Sequence, residues 1–106
     1  MESGESRRAP RFTMQGAVAF SSDDSSSQGS LLNLSTGGCA FECETLFQKG
    51  DYVGLRMYLR DQELPVEVDL AAIRWSTGKE YGLEFIRIRE EVQKRLRTLL
   101  TASKQP

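Results

Sequence analysis

The 106-residue chain contains no histidine and only two cysteines. The absence of histidine removes the side chain that most often serves as a general base or as a metal ligand. Two cysteines are too few for a structural zinc site, so we expect neither a metal nor a cofactor. The chain also lacks a nucleophile elbow and a phosphate-cradling Walker sequence. These absences favour a binding protein over an enzyme.

The two cysteines, Cys39 and Cys43, lie four residues apart in a segment with the pattern of a strand. An even separation places both side chains on one face of a strand. Their Cα atoms are then roughly 13 Å apart, which is too far for a disulfide in a straight strand. We therefore predict two reduced thiols in the core.

No apolar run approaches the roughly 20 residues that a membrane-spanning helix needs. The first residues, Met1-Glu2-Ser3-Gly4, lack the basic region and apolar stretch of a secretory signal. The composition, 39% apolar and 27% charged, is that of an ordinary soluble domain. We expect one cytoplasmic domain with no membrane insertion.

The net charge of −1 is unevenly distributed along the chain. Residues 1–12 carry three arginines against two glutamates, whereas residues 13–88 carry six basic against eleven acidic residues. An acidic body repels a long polyanion, so nucleic-acid binding is disfavoured. A compact dianionic ligand is compatible with this distribution, because it needs only a local cluster of arginines.

The hydrophobic pattern predicts a mainly β protein with a C-terminal helix. Val53, Leu55, Met57 and Leu59 alternate with polar or small residues, which indicates a half-buried strand. Short strands separated by frequent turns favour a closed antiparallel sheet of about six strands. Helical periodicity begins near residue 89 and predicts an amphipathic helix over about 89–102. The predicted strands are residues 12–20, 30–34, 38–42, 53–60, 64–75 (bent near Ala71-Ala72) and 81–88.

The first polar motif is Arg7-Arg8-Ala9-Pro10-Arg11 in a leader that we predict to be a flexible arm, residues 1–11. Pro10 keeps Ala9 out of helical geometry, so the leader is expected to be extended. A guanidinium can fork onto a phosphate, pair with O6 and N7 of guanine, or stack on a base. The alternative is a solvated basic tail without a ligand.

The second polar motif is Asn33-Leu34-Ser35-Thr36-Gly37-Gly38, at a predicted connection between two strands. Asn33 and Ser35 offer small hydrogen-bonding side chains, and the glycines let a ligand approach the backbone. These residues could instead close a turn by bonding to their own backbone.

In this order and spacing, the two motifs resemble the RxxxR and (D/N)xSxxG signatures of the PilZ domain family. Arg7 and Arg11 match the first signature, and Asn33, Ser35 and Gly38 match the second. The resemblance continues through the stretches at 73–75 and 81–85 and covers roughly residues 7–100. It implies a six-stranded antiparallel β-barrel, residues 12–102 with a short tail at 103–106, that binds the bacterial second messenger cyclic di-GMP. The implied ligand-binding residues are Arg7, Arg11, Asn33, Ser35 and Gly38, and we add the neighbouring Arg8 as a further candidate.

Trp75, the only tryptophan, ends a predicted strand and has two interpretations. It can be buried in the core, or it can stack on a purine or ribose beside the Asn33 loop, as the family resemblance favours. We include Trp75 among the ligand-binding candidates. Regular alternation places its neighbour Arg74 on the opposite face unless a bulge intervenes, so Arg74 is not a candidate.

These expectations combine into a stand-alone cyclic di-GMP receptor that regulates an effector protein in motility, biofilm formation or virulence, as the resemblance implies. One alternative is a nucleotide-independent interaction module of the same fold. A second is an oligonucleotide-binding barrel, which needs an exposed aromatic face and a basic groove. The acidic body makes that second alternative the weakest.

Overall fold

Seven strands and one helix form the part of the chain that the computed structural model describes, which comprises residues 12–13, 16–21 and 26–104. The predicted arm at 1–11 lies outside these described residues, as do residues 105–106 of the predicted tail. The strands are β1 (Phe12–Thr13), β2 (Gly16–Ser21), β3 (Ser26–Leu34), β4 (Gly38–Cys43), β5 (Tyr52–Leu59), β6 (Val66–Thr77) and β7 (Glu80–Arg87), and the helix is α1 (Glu90–Lys104).

Six of the strands close into an antiparallel barrel. The sheet order is β1-β3-β2-β5-β6-β7-β4, and an additional β3–β4 pairing joins the two sides. This confirms the predicted six-stranded β-barrel. The predicted strand at 12–20 is divided, because β1 and β2 pair with β3 in registers that differ by one residue.

The core follows from alternation along the strands. In β5, Val53, Leu55, Met57 and Leu59 are buried, whereas the intervening side chains face outward. The predicted bend in β6 is confirmed, since its pairing with β7 shifts register between Leu70 and Ala71. The core also contains the reduced thiols of Cys39 and Cys43, as predicted.

Helix α1 closes one end of the barrel, and we call this the helix end. Leu96 and Leu100 are buried in the core cluster, and Arg95 donates from Nη1 to the carbonyl of Pro65 at 2.9 Å. The segment containing Pro65 connects β5 to β6, and the β3–β4 loop lies at the same end. The amphipathic helix is confirmed, and it runs two residues beyond the predicted boundary at 102.

An aromatic cluster supports the opposite end of the barrel. Phe20, Phe41, Phe47 and Tyr81 pack with ring centroids 4.3 to 6.1 Å apart. The Tyr81 hydroxyl donates to the carbonyl of Thr45 at 3.1 Å and accepts from the N–H of Phe47 at 3.2 Å. These bonds fix the β4–β5 connection far from the helix end.

Candidate ligand-binding site

The second motif forms the β3–β4 loop, and Ser35 closes it. The Ser35 N–H donates to the carbonyl of Gly38 at 2.9 Å, and its hydroxyl donates to the same oxygen at 3.2 Å. The hydroxyl also accepts from the N–H of Gly37 at 3.3 Å. With only 3% of its surface exposed, Ser35 is the buried polar residue that gives this loop its shape.

Gly38 lets β4 approach β7 closely. It pairs with Glu84, and a Cβ at position 38 would lie 2.2 Å from the carbonyl oxygen of Leu83. The preceding Gly37 carbonyl accepts from the N–H of Phe85 at 2.9 Å. The glycine is therefore required by the backbone itself, which fastens the loop to β7.

Asn33 lies on the outer face of the barrel because of a bulge in β3. The β3–β4 register moves from Leu31↔Phe41 to Asn33↔Ala40, so Leu32 is an extra residue in β3. Ala40 lies between two core residues of β4 and therefore faces outward, as does its partner Asn33. Asn33 is half-buried.

A bulge in β6 turns Trp75 outward in the same way. Its register against β7 moves from Ile73↔Leu83 to Trp75↔Gly82, so Arg74 is the extra residue. Trp75 is 42% exposed, and its indole lies on Gly82, where a Cβ would be 2.0 Å from the indole Nε1. Of the two interpretations of Trp75, the structure supports the exposed one. Arg74 is also exposed, because the bulge is the exception under which it need not lie on the opposite face from Trp75.

Between Asn33 and Trp75, the outward-facing positions of the sheet hold only very small residues, and all of them are buried. Pairing runs across four strands from Asn33 to Ala40, Gly82 and Trp75. We call the surface of Gly38, Ala40 and Gly82 the platform. At a strand spacing of about 4.8 Å, its two flanking residues lie roughly 14 Å apart along the sheet. The platform is thus a strip of small, buried residues with an amide at one side and an exposed indole at the other.

Carboxylates border the platform, and Arg74 and Lys79, the cations beside them, form ion pairs with Glu84 and Glu44. Glu84 accepts from Arg74 Nε at 2.7 Å, and Glu44 accepts from Lys79 Nζ at 3.0 Å. The hydrogen bond to Glu44 raises the pKa of Lys79, so this lysine stays charged. Glu42 and Glu80 face each other across β4 and β7. An anionic ligand on the platform therefore needs further positive charge, and Arg7, Arg8 and Arg11, which could supply it, lie outside the described residues.

A groove of about 340 Å³ lies elsewhere, on the outer face of β2, β5 and β6. Arg56 and Glu67 form an ion pair of 3.2 Å in its lining, which also includes Ala19 and Gly54. None of the sequence-predicted site residues lines it. Within the described residues, no cluster of three or more His, Cys, Asp or Glu side chains is arranged to hold a metal ion. No helix in the same residues is long and apolar enough to cross a membrane.

The sequence matches the PilZ domain family over residues 5–102. The chain belongs to the PilZ domain family. No curated protein sequence gives a significant match to this PilZ domain.

Solved structures show the same fold. Bacillus subtilis MotI, an inhibitor of motility, is 20% identical and superposes with a TM-score of 0.74 over 94% of this chain and 53% of its own. Escherichia coli YcgR, solved in complex with c-di-GMP, is 16% identical with a TM-score of 0.78 over 92% of this chain and 46% of its own. The PilZ domain of CeSA from a cellulose-synthesizing bacterium is 14% identical with a TM-score of 0.67, covering 90% and 98%. The chain thus spans about half the length of MotI and YcgR.

Sequence reasoning missed Ala40 and Gly82 as parts of the site. Gly82 lies in a stretch that resembles the family, but its role depends on which residue pairs with it from β6. Ala40 could be assigned to the outer face by alternation in the predicted strand at 38–42. Its position between Asn33 and Gly82 depends on the strand order, which the sequence pattern does not specify.

Proposed function

We propose that this PilZ domain is a cytoplasmic, non-enzymatic receptor for cyclic di-GMP that regulates a partner protein. Structures of YcgR and of its PilZ domain, both with c-di-GMP, show that this fold can carry the ligand. The fold alone does not specify a ligand, so the proposal depends on the site residues of this chain.

The observation that carries the proposal is the pairing of β1 with β3. Phe12 pairs with Leu34 and Thr13 pairs with Asn33, so the chain enters the barrel beside the β3–β4 loop. Arg11 precedes Phe12, and consecutive Cα atoms are about 3.8 Å apart. Arg7 is five residues from Phe12, a reach of at most about 18 Å, which exceeds the width of the platform. Both motifs can therefore act on one ligand.

The role that we propose for each residue follows from the charges around the platform. Arg7, Arg8 and Arg11 bind phosphate and a guanine, because the cations beside the platform are engaged with carboxylates. Asn33 and Trp75 flank the ligand, the first by hydrogen bonding and the second by stacking. Ser35 and Gly38, which we predicted to bind the ligand, contribute by holding the loop against β7.

Docking of the predicted arm, residues 1–11, would change the surface that a partner protein contacts. An arm that folds onto the platform with its ligand creates a surface made of both, and the free protein does not present that surface. We propose that an effector controlling motility, biofilm formation or virulence binds or leaves this surface.

Isothermal titration calorimetry with cyclic di-GMP tests the proposal, with GMP and cyclic di-AMP as specificity controls. Saturable binding supports a receptor, and the stoichiometry distinguishes one ligand from a stacked pair. The double variant Arg7→Glu/Arg11→Glu should weaken binding at least about a hundredfold, because each guanidinium contact contributes about 1.5–3 kcal/mol. The control Lys49→Glu/Arg56→Glu makes the same change in net charge on exposed residues away from the platform.

Absence of binding at high micromolar cyclic di-GMP would favour the nucleotide-independent interaction module. One observation supports that alternative, since the fold alone accounts for Ser35 and Gly38. Binding of single-stranded RNA with a steep salt dependence would instead indicate the oligonucleotide-binding barrel.

A further inference from the structure

An exposed ion pair lies directly beside the platform. Glu84 faces outward on β7, two residues after Gly82, and pairs in register with Gly38 of the loop. Its Oε1 accepts from Arg74 Nε at 2.7 Å, and Arg74 is the bulge residue adjacent to Trp75. The two side chains are about half exposed, at 51% for Arg74 and 55% for Glu84. The carboxylate is therefore accessible to a molecule on the platform.

The barrel contains a second ion pair that is closely similar but distant from the platform. Arg56 and Glu67 link β5 to β6 at 3.2 Å, with side-chain exposures of 52% and 45%. Exposed pairs of this kind contribute little to stability. The location of the Arg74–Glu84 pair, between the loop and the indole, is what distinguishes it from the Arg56–Glu67 pair.

We infer that Glu84 is a guanine-selective residue of the platform and that Arg74 compensates the charge of its carboxylate; this inference rests on the proposed function. A carboxylate accepts hydrogen bonds only, so it suits the N1–H and N2–H₂ donors on the edge of guanine. Adenine has an acceptor at N1 and no amino group at C2, so it cannot make these bonds. The motif residue Asn33 is a neutral amide, which makes Glu84 the carboxylate nearest to the loop by register.

Arg74 is needed because a lone carboxylate beside the platform would repel the ligand's phosphates. Its guanidinium, 2.7 Å away, compensates that charge. Loss of Arg74 should therefore weaken binding of any cyclic dinucleotide. Loss of the Glu84 charge should weaken the binding of cyclic di-GMP but not that of cyclic di-AMP.

The test compares the affinities of the full chain for cyclic di-GMP and cyclic di-AMP by calorimetry in four proteins: wild type, Glu84→Gln, Arg74→Gln and the control Glu67→Gln. We expect Glu84→Gln to weaken cyclic di-GMP binding about tenfold without weakening cyclic di-AMP binding, so that the ratio of the affinities falls. Arg74→Gln should weaken both ligands and leave the ratio within about twofold of wild type. Glu67→Gln should change neither value. Circular dichroism of each variant establishes that the barrel is folded.

A purely structural ion pair predicts a different pattern, because Glu84→Gln and Arg74→Gln would break it equally. Equal effects of these two variants on the affinity ratio would overturn the inference, as would an unchanged ratio in Glu84→Gln. Either result leaves the receptor proposal intact if the wild type binds cyclic di-GMP. Failure of the wild type to bind would overturn both.

Discussion

Replacement of Gly82 by alanine should displace the only tryptophan from the platform. The new Cβ would lie 2.0 Å from Nε1 and 2.2 Å from Cε2 of Trp75, so the indole must move. Full displacement exposes on the order of 100 Å² of apolar surface, or about 2.5 kcal/mol at ~25 cal/mol per Å². Alanine offsets about 0.4–1 kcal/mol of this by restricting the unfolded chain. We expect a net destabilisation of about 1.5–2 kcal/mol.

Urea denaturation followed by circular dichroism measures this change, and tryptophan fluorescence reports the indole directly. The emission of Gly82→Ala should shift to longer wavelength, because more of the indole contacts water. Gly37→Ala is the matched control, since a Cβ there would have no atom within 4 Å and its φ is not positive. Identical emission spectra and urea midpoints for Gly82→Ala and wild type would refute the placement of the indole on Gly82.

Two further predictions concern the loop and a buried thiol. Gly38→Ala should lower the free energy of unfolding measured in urea by about 3 kcal/mol, more than Gly82→Ala does. The reason is that its Cβ meets the backbone oxygen of Leu83 instead of a movable side chain. A smaller loss of stability than in Gly82→Ala would contradict this. Burial raises the pKa of the Cys43 thiol above its ordinary value of 9.0. The neutral thiol therefore contributes to stability below that pH. This contribution is lost at higher pH, where the thiol of the unfolded chain ionises first. The urea midpoint should therefore fall more between about pH 8 and pH 10 in wild type than in Cys43→Ala, and equal falls would argue against it.

Periodicity was sufficient to predict the strands of a closed or nearly closed sheet and the C-terminal helix, whereas the family resemblance implied the barrel. The alternation in β5 and the spacing of Leu96 and Leu100 are local patterns, and tertiary contacts reinforce them. The prediction that the two motifs cooperate came from the family resemblance; the structure shows that β1 pairs with β3 at Asn33 and Leu34.

The outward direction of Asn33 and Trp75 could not be predicted from alternation. Counted from the core residues Leu31 and Ile73, a period of two places both side chains inside the barrel. The bulges at Leu32 and Arg74 reverse this, and a bulge depends on how the partner strand pairs. The platform is a product of the same non-local pairing.

The two-residue length of β1 also bears on aggregation. Unpaired strand edges can recruit other chains, and a protein whose arm docks and releases repeatedly could expose such an edge in every cycle. Here the six barrel strands remain paired on both sides through the closure of β3 with β4. Release of β1 would uncover only the short stretch of β3 at Asn33 and Leu34. Under the proposed function, β1 could thus detach from the barrel without offering a template for intermolecular sheet growth.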